Sequence, residues 1–318
     1  MTTASPFPSV DEVAKADAFP TTIWQLEPHR EGTLPVAVGR GGPINIHWEV
    51  HGDGPVKLVL INGLGVFKSG WQRQTMHFGH LNGDRYSVLI LDNRGIGRSD
   101  KPLMRYSTSA MAADVLEVVD HLSWTEERQL HVCGISMGGM IAQEVAYAAP
   151  DRIASLNLVC TAAAIENTTG FVENIMNRIT MLLPKSLDDT ILYGSGNCFP
   201  ADWLAQPDGA VLPDEKVPRC RVPPGGYRRF TSNYARFAAH EIAKRQEGAG
   251  FTQHGFLLQL IAAGWHHKSA AQLREIGDKP GKSVVVEGMG HVPIMERAEW
   301  FNQLLADMCG LGEQLGGR

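Results

Sequence analysis

The stretch HVCGISMGGM, residues 131–140, places Ser136 between glycines at the end of an apolar run. Downstream the chain continues IAQEVAYAAP, which has the residue types of a helix that stops at Pro150. The pattern therefore predicts a strand that turns directly into a helix at Ser136. A serine at such a corner is either a turn residue or a nucleophile, and the rest of the sequence has to decide between the two.

Similar apolar runs recur along the chain. The predicted strands are INIHWEV (44–50), KLVLING (57–63), YSVLILDNRG (86–95), LHVCGI (130–135), ASLNLVC (154–160) and SVVVEGMGH (283–291). The turn sequence HGDG joins the first two, so a hairpin is expected there. Helices are predicted between the later strands, and strands alternating with helices form parallel sheets with helices on both faces. The predicted fold class is therefore α/β, with a mostly parallel, doubly wound sheet.

The character of the sequence changes twice, which predicts three parts. Residues 1–40 are rich in Pro, Thr and small polar residues and are expected to form a loosely packed N-terminal arm. Residues 163–265 are rich in proline and aromatic residues and contain no convincing buried strand, so an inserted helical cap or lid is expected there. The α/β core then consists of residues 41–162 and 266–318. The last predicted helix, ERAEWFNQLLADMC, ends at Gly310.

Composition narrows the function classes. Hydrophobic residues make up 43% of the 318 residues and charged residues 20%, which is typical of globular proteins. The net charge of −5 makes nucleic acid an unexpected partner. The five cysteines have no CxxC spacing, which favours free thiols in a reducing compartment. No apolar run approaches the roughly 18 residues of a membrane span, and no leader pattern is present, so a cytoplasmic protein is expected.

The sequence around Ser136 favours the nucleophile. Gly134-Ile135-Ser136-Met137-Gly138 fits the G-x-S-x-G pattern, and a predicted strand precedes it while a predicted helix follows it. The glycines are needed because side chains at positions 134 and 138 would crowd the strand–helix junction. The turn would lift the hydroxyl clear of the sheet to a helix N-terminus, where the helix dipole favours developing negative charge.

A nucleophilic serine needs a base and a site for the oxyanion. His291 lies in the loop GMGH after a predicted strand, and therefore at the carboxyl edge of the sheet, as Ser136 does. The loop Asn62-Gly63-Leu64-Gly65 also follows an apolar run. We expect the backbone N–H groups of Leu64 and Met137 to form the oxyanion hole, in which one donor is worth about 3 kcal/mol.

Together these motifs resemble the α/β-hydrolase superfamily, in its capped esterase and lactonase branch. The resemblance rests on GISMGG, the NGLG loop, the turn DNRGIGRSD (92–100) and the GMGH tail, and covers residues from about 44 to 162 and from 283 to 307. It implies Ser136 as nucleophile, His291 as base, the Leu64 and Met137 amides as oxyanion donors, and a structural role for the DNRGIGRSD turn. No metal or cofactor is expected, because the sequence has neither metal-ligand spacing nor a G-x-G-x-x-G loop.

One departure from the resemblance concerns the triad acid. Members of the superfamily usually carry an aspartate after an extra strand that precedes the histidine strand, and the segment between His267 and Ser283 is too short for that strand, loop and helix. Glu166, which follows ASLNLVC at the same edge as Ser136, is the first candidate. Asp278 is the second, although it precedes its strand, and Glu287 is the third.

The sequence therefore predicts a serine hydrolase that cleaves an ester, lactone or thioester of a small to medium apolar substrate through an acyl-enzyme. One alternative is a catalytically impaired, hydrolase-like protein that binds a ligand without turning it over. The other is acyl transfer or carbon–carbon bond hydrolysis on the same scaffold.

Overall fold

A computed structural model describes residues 6–165, 186–277 and 287–315. Within them, six strands form one sheet in the order β1-β2-β4-β3-β5-β6. The strands are β1 (Arg30–Val36), β2 (Ile44–His51), β3 (Val56–Ile61), β4 (Tyr86–Leu91), β5 (Leu130–Ile135) and β6 (Ile153–Val159).

Four neighbouring strands of the sheet are parallel. β4, β3, β5 and β6 run in one direction, while β2 is antiparallel to β4, and β1 is antiparallel to β2. The predicted fold class is therefore confirmed. The expected hairpin between β2 and β3 is wrong, because β4 lies between these strands and pairs with both of them. The parallel strands place the ends of β3, β5 and β6 at one edge, where their loops meet.

Helices cover both faces of the sheet and extend over its carboxyl edge. They are α1 (Val10–Ala14), α2 (Gln72–Gln74), α3 (Thr108–His121), α4 (Met137–Ala148), α5 (Leu187–Cys198), α6 (Ala201–Ala205), α7 (Asn233–Gln246), α8 (Gln253–Gly264), α9 (Ala270–Gly277), α10 (Pro293–Glu296) and α11 (Ala298–Leu315). A 3₁₀ turn (Lys68–Trp71) precedes α2, and a π-helical turn (Thr75–Leu81) follows it.

Two apolar cores lie on opposite faces of the sheet. On one face, α3 and α4 pack against the sheet through residues such as Val115 and Ile141, which are almost fully buried. On the other face, α11 packs through Phe301 and Leu305 against Trp71 and the strands. No helix among the described residues combines the length and the apolar character that a membrane crossing requires.

The beginning and the end of the chain differ from expectation. The arm predicted for residues 1–40 is not loosely packed throughout: residues 30–36 form the edge strand β1, and Trp24 is only 4% exposed. The last helix does not end at Gly310 but continues to Leu315. Close packing against β6 requires glycine at position 312, since a Cβ there would lie 2.8 Å from the carbonyl oxygen of Ala154.

The segment predicted as a cap is helical where it is described, with α5 to α8 within residues 187–264. Phe199, Phe230 and Tyr234 of this segment form one apolar cluster with Val13 of α1. Part of the N-terminal arm therefore packs against the helical segment. Trp265 is 76% exposed and does not line an enclosed pocket. The predicted limits of the cap and of the core remain predictions.

β6 is the last described strand of the sheet, and no other described strand pairs with its outer side; residues 283–286 of the predicted strand SVVVEGMGH lie outside the described residues. Leu158 is 43% exposed, and a cavity of about 280 Å³ lies between this side of β6 and α11. Val159, Gly290 and Phe301 are among the residues that line it. The cavity therefore adjoins both the end of β6 and the GMGH loop.

Candidate active site

Ser136 occupies a strained turn between β5 and α4. Its backbone angles are φ 56° and ψ −123°, a conformation that side chains rarely adopt. Two hydrogen bonds hold the turn: Ser136 N donates to Val159 O at 2.9 Å, and Thr161 Oγ1 donates to Ser136 O at 2.7 Å. The end of β6 thus fixes the geometry of the serine, and the side chain of Ser136 remains partly exposed.

The two pattern glycines lie where the sequence argument requires them. A Cβ on Gly134 would be 2.1 Å from Gly138 O, and a Cβ on Gly138 would be 2.2 Å from Ile61 O. Both are distances that real Cβ atoms do not show, so α4 approaches β5 and β3 more closely than any side chain would allow. This close packing places the N-terminus of α4 directly beside the loop that follows β3.

That loop reaches Ser136. A Cβ built on Gly63 would lie 3.3 Å from Ser136 Cβ and 3.9 Å from Ser136 Oγ. Leu64, the next residue, is half-buried and packs against the core under α4. Met137 is the first residue of α4, so its N–H group has no acceptor in a preceding turn of the helix. The Gly63–Leu64 backbone and the N-terminus of α4 therefore lie on either side of the serine.

Two side chains from the helical segment hold the same loop. Gln259 of α8 accepts a hydrogen bond from Gly65 N at 2.9 Å and donates to Arg94 O at 2.9 Å. Lys244 of α7 donates to Gly65 O at 3.1 Å. The positive φ of 66° at Gly65 orients its N–H group towards Gln259 and its carbonyl oxygen towards Lys244. Helices α7 and α8 thus lie directly over the loop.

The DNRGIGRSD turn is built as a brace. Arg94 is fully buried and bonds Asp114 of α3 through two nitrogens, each at 2.6 Å. Asn93 Nδ2 donates to Asn62 O at 3.2 Å, and Asn62 Nδ2 donates to Leu91 O at 3.4 Å. These bonds tie the ends of β3 and β4 together. They agree with the structural role expected for this turn.

His291 lies in a loop between α5 and the end of β6. Its backbone N donates to Cys198 O at 2.7 Å, and Gly290 N donates to Glu296 Oε2 at 2.8 Å. A Cβ on Gly290 would lie 2.4 Å from Cys198 O, so only glycine permits this contact. Gly290 shares the cavity beside β6 with Val159, the residue that bonds Ser136 N. The loop is therefore at the same edge of the sheet as Ser136.

No carboxylate among the described residues bonds the imidazole of His291. His291 is exposed, but the protein atoms around it exclude part of the water from its ring. This partial desolvation lowers the pKa of His291 below the usual 6.5. Glu166 and Asp278 lie outside the described residues. Glu287 is exposed.

Four of the residues that organise this region were not identified from the sequence. They are Thr161, Lys244, Gln259 and Glu296. Thr161, Lys244 and Gln259 bond backbone groups at least 25 residues away, and such contacts depend on tertiary structure. Glu296 bonds the backbone N of Gly290, six residues earlier. Only Gln259 had an available clue, because a glutamine in an otherwise apolar helix (FLLQLIAA) needs a partner when it is buried.

One group of side chains in the described residues has spacing that suits a metal ion. Ligand atoms of Glu31, His47 and Glu49 lie within 4.8 Å of one another on β1 and β2. Glu31 and Glu49 are directly opposite in the strand register. Lys68 lies 3.4 Å from Glu49, and Arg98 lies 3.8 Å from Glu31, so side-chain cations already neutralise both carboxylates. This arrangement is an ion-pair network on the sheet face.

Comparisons with known proteins agree with this architecture. Over 108 residues the chain is 37% identical to 3-oxoadipate enol-lactonase 2 of Acinetobacter baylyi, a match that covers 34% of the chain and 38% of the lactonase. Over 178 residues the chain is 29% identical to the putative carbamate hydrolase RutD of Azorhizobium caulinodans, a match that covers 56% of the chain and 63% of that protein. A thermophilic esterase from Thermogutta terrifontis superposes with a TM-score of 0.62 at 18% identity, over 87% of this chain and 97% of the esterase.

A second solved structure is the enol-lactonase from Burkholderia xenovorans LB400. It superposes with a TM-score of 0.56 at 21% identity, over 86% of this chain and 98% of the lactonase. At these identities the two structures establish the fold alone. The model of the alpha/beta hydrolase family matches residues 58–304, which is most of the chain and includes the Ser136 turn, the Gly63–Gly65 loop and His291. The chain therefore belongs to the α/β-hydrolase family.

Proposed function

We propose that this protein is a serine hydrolase that cleaves an ester, lactone or thioester of a small to medium, mainly apolar acyl compound. The observation that carries the proposal is the strained backbone of Ser136 at φ 56°, beside Gly63, where an added Cβ would lie 3.9 Å from Ser136 Oγ. A strained serine beside a close-packed backbone loop is costly to maintain, and such strain clusters at catalytic sites. The lactonase name of one curated relative, 3-oxoadipate enol-lactonase 2, supports the same reaction class.

In the proposed first half-reaction, Ser136 Oγ attacks the carbonyl carbon and His291 takes the hydroxyl proton. The amides of Leu64 and Met137 donate to the oxyanion of the tetrahedral intermediate, which is the type of stabilisation worth most in acyl transfer. The intermediate collapses, and the leaving alcohol or thiol receives the proton from His291. For a lactone, this group stays attached to the acyl chain.

In the second half-reaction, water attacks the Ser136 ester and His291 removes a proton from that water. The collapse of the second intermediate releases the carboxylic acid and returns the proton to Ser136. The lowered pKa of His291 suits this role, because the imidazole is then neutral at neutral pH and able to accept a proton. Glu166 is our first candidate for the carboxylate that orients the imidazole, and Asp278 is the second.

A fluorophosphonate probe tests the nucleophile directly. Wild-type protein is expected to be labelled at one site, and Ser136→Ala is expected not to be labelled. Equal labelling of both proteins would refute the assignment. Hydrolysis of 4-nitrophenyl butyrate, measured on the same two proteins, checks that the labelled serine supports turnover.

The absence of a carboxylate partner for His291 among the described residues favours one other candidate function. This is a hydrolase-like binding protein, in which the site holds a ligand without turning it over. It predicts no fluorophosphonate labelling of the wild type, together with an increase in melting temperature when the ligand is present.

A further inference from the structure

Arg73 of α2 is a buried cation that has no hydrogen-bond or ion-pair partner among the described residues. Arg73 comes shortly after the Lys68–Trp71 turn in the sequence, and it is only 7% exposed. Its guanidinium has no hydrogen bond or ion pair with any residue in the described ranges, and desolvation lowers its pKa to about 10. A buried charge is normally paired, because the loss of hydration is costly without compensation. An unpaired guanidinium in a native protein therefore needs an explanation.

The surroundings of Arg73 locate it at the contact between α7 and the loop after β3. Arg236, His240 and Lys244 are spaced four residues apart on α7 and so share one face of that helix. Lys244 bonds Gly65 O, beside the proposed oxyanion donor Leu64. One turn earlier, His240 Nε2 lies 3.1 Å from Nε2 of Gln72, the neighbour of Arg73. This face of α7 thus extends from the Gly63–Gly65 loop, which contains the proposed oxyanion donor, to the neighbourhood of Arg73.

The charges on this face compensate Arg73 only in part, because Asp208 raises the pKa of Arg73 while the neighbouring Arg236 lowers it. Asp208 is engaged by Arg236, at 2.6 Å, and by the backbone N of Phe230. Glu241 is engaged by Lys244 and Arg245, each at 2.7 Å. His240 is neutral, since desolvation lowers its pKa to about 3, and it accepts a hydrogen bond from the Gln72 amide. Neither nearby carboxylate is therefore available for Arg73.

We propose that Arg73 binds a carboxylate of the substrate, so that the protein acts on esters or lactones whose acyl part carries a carboxylate at a distance from the reacting carbonyl. The proposal rests on the proposed hydrolase function and narrows its substrate class from apolar to amphipathic. The planar guanidinium fits a carboxylate through two parallel hydrogen bonds. A single unpaired cation also balances the single charge of a carboxylate better than the two charges of a phosphate.

The binding test uses Ser136→Ala protein, which cannot turn over a ligand. About 10 mM adipate, added as its monomethyl ester so that it carries one carboxylate, is expected to raise its melting temperature by about 2 °C, and the shift should be absent in the double variant Ser136→Ala/Arg73→Met. Sulfate at the same ionic strength controls for salt effects. Inorganic phosphate is the competing probe, and a larger shift with phosphate than with adipate would overturn the assignment to a carboxylate.

The kinetic test compares 4-nitrophenyl hydrogen adipate with its neutral methyl ester. We expect the wild type to prefer the anionic ester in kcat/KM by about 10–100-fold, which is the range for hydrogen bonds to a charged group. Arg73→Met should lose this preference and Arg73→Lys should keep part of it. Arg221→Gln is the matched control, because it removes the same charge from an exposed side chain and should leave the preference unchanged.

Melting of the unliganded variants separates a ligand-binding arginine from a structural one. Arg73→Met should melt at or above the temperature of the wild type, because it removes a buried charge that is compensated only in part. A large decrease, or failure to fold, would reveal a structural partner and overturn the proposal. Equal kcat/KM for both esters would refute the anion site and leave the hydrolase function standing. Adipate binding that depends on Arg73, without hydrolysis of either ester, would refute the hydrolase and leave the anion site.

Discussion

Gly63→Ala tests whether the loop after β3 faces the reacting carbonyl. The new methyl carbon would lie 3.3 Å from both Ile135 O and Ser136 Cβ, so its neighbours must move by a few tenths of an ångström. Such overpacking costs about 1 kcal/mol of folding stability. The methyl would also lie 3.9 Å from Ser136 Oγ, in space that a carbonyl carbon must enter when it approaches to about 3–3.5 Å. Displacement of one oxyanion donor lowers kcat by about 100-fold or more.

The assay measures kcat for 4-nitrophenyl butyrate together with the melting temperature. We expect Gly63→Ala to lose about two orders of magnitude in kcat with a small decrease in melting temperature. Gly196→Ala in α5 is the matched control, since a Cβ there meets nothing within 4 Å, and helix propensity predicts a gain of up to about 1 kcal/mol in stability. A folded Gly63→Ala protein with wild-type kcat would refute the placement of the oxyanion hole.

Three further expectations concern single groups. The kcat/KM should fall with decreasing pH through a pKa below 6.5, because desolvation penalises the imidazolium of His291 and only the neutral ring accepts a proton; a flat profile from about pH 5 to about pH 9 would contradict the role of this residue. Asp114→Asn leaves the buried guanidinium of Arg94 without its counter-charge and should lower the free energy of unfolding by about 3–5 kcal/mol in urea titrations. Glu166→Gln should reduce kcat by about 10⁴-fold if Glu166 orients the base, while Asp278→Asn should have little effect; the reverse result would exchange the two candidates.

Local patterns predicted most of the parallel sheet. The apolar runs beginning near residues 57, 86, 130 and 154 each form a strand, and the helices after Ser107 and Ser136 lie where the periodicity placed them. Buried parallel strands are apolar along their whole length, so the signal is carried by neighbouring residues of the chain. The turn at Ser136 was predictable for the same reason, since the strand, the glycines and the helix are contiguous.

Non-local pairing was not predictable in this way. HGDG has the composition of a hairpin turn, yet β2 pairs with β4, where Trp48 is opposite Leu91. Gly310 was expected to end a helix, whereas α11 continues past it, and Gly312 allows α11 to approach β6. The sequence likewise gave no sign that Arg73 is buried and has no ion-pair partner among the described residues. This state arises because the fold pairs the neighbouring carboxylates, Asp208 and Glu241, with other cations.

The outer side of β6 bears directly on the triad acid. The superfamily resemblance places an additional, acid-bearing strand before the histidine strand, and the segment between His267 and Ser283 is too short for it. Among the described residues, Leu158 is 43% exposed, and a cavity of about 280 Å³ lies between β6 and α11. Residues 283–286, the first part of the predicted strand SVVVEGMGH, lie outside the described residues, so only the length of the sequence between His267 and Ser283 indicates that the acid-bearing strand is missing. The acid, if one serves, therefore has to come from a different element, and this is the reason for testing Glu166 before Asp278.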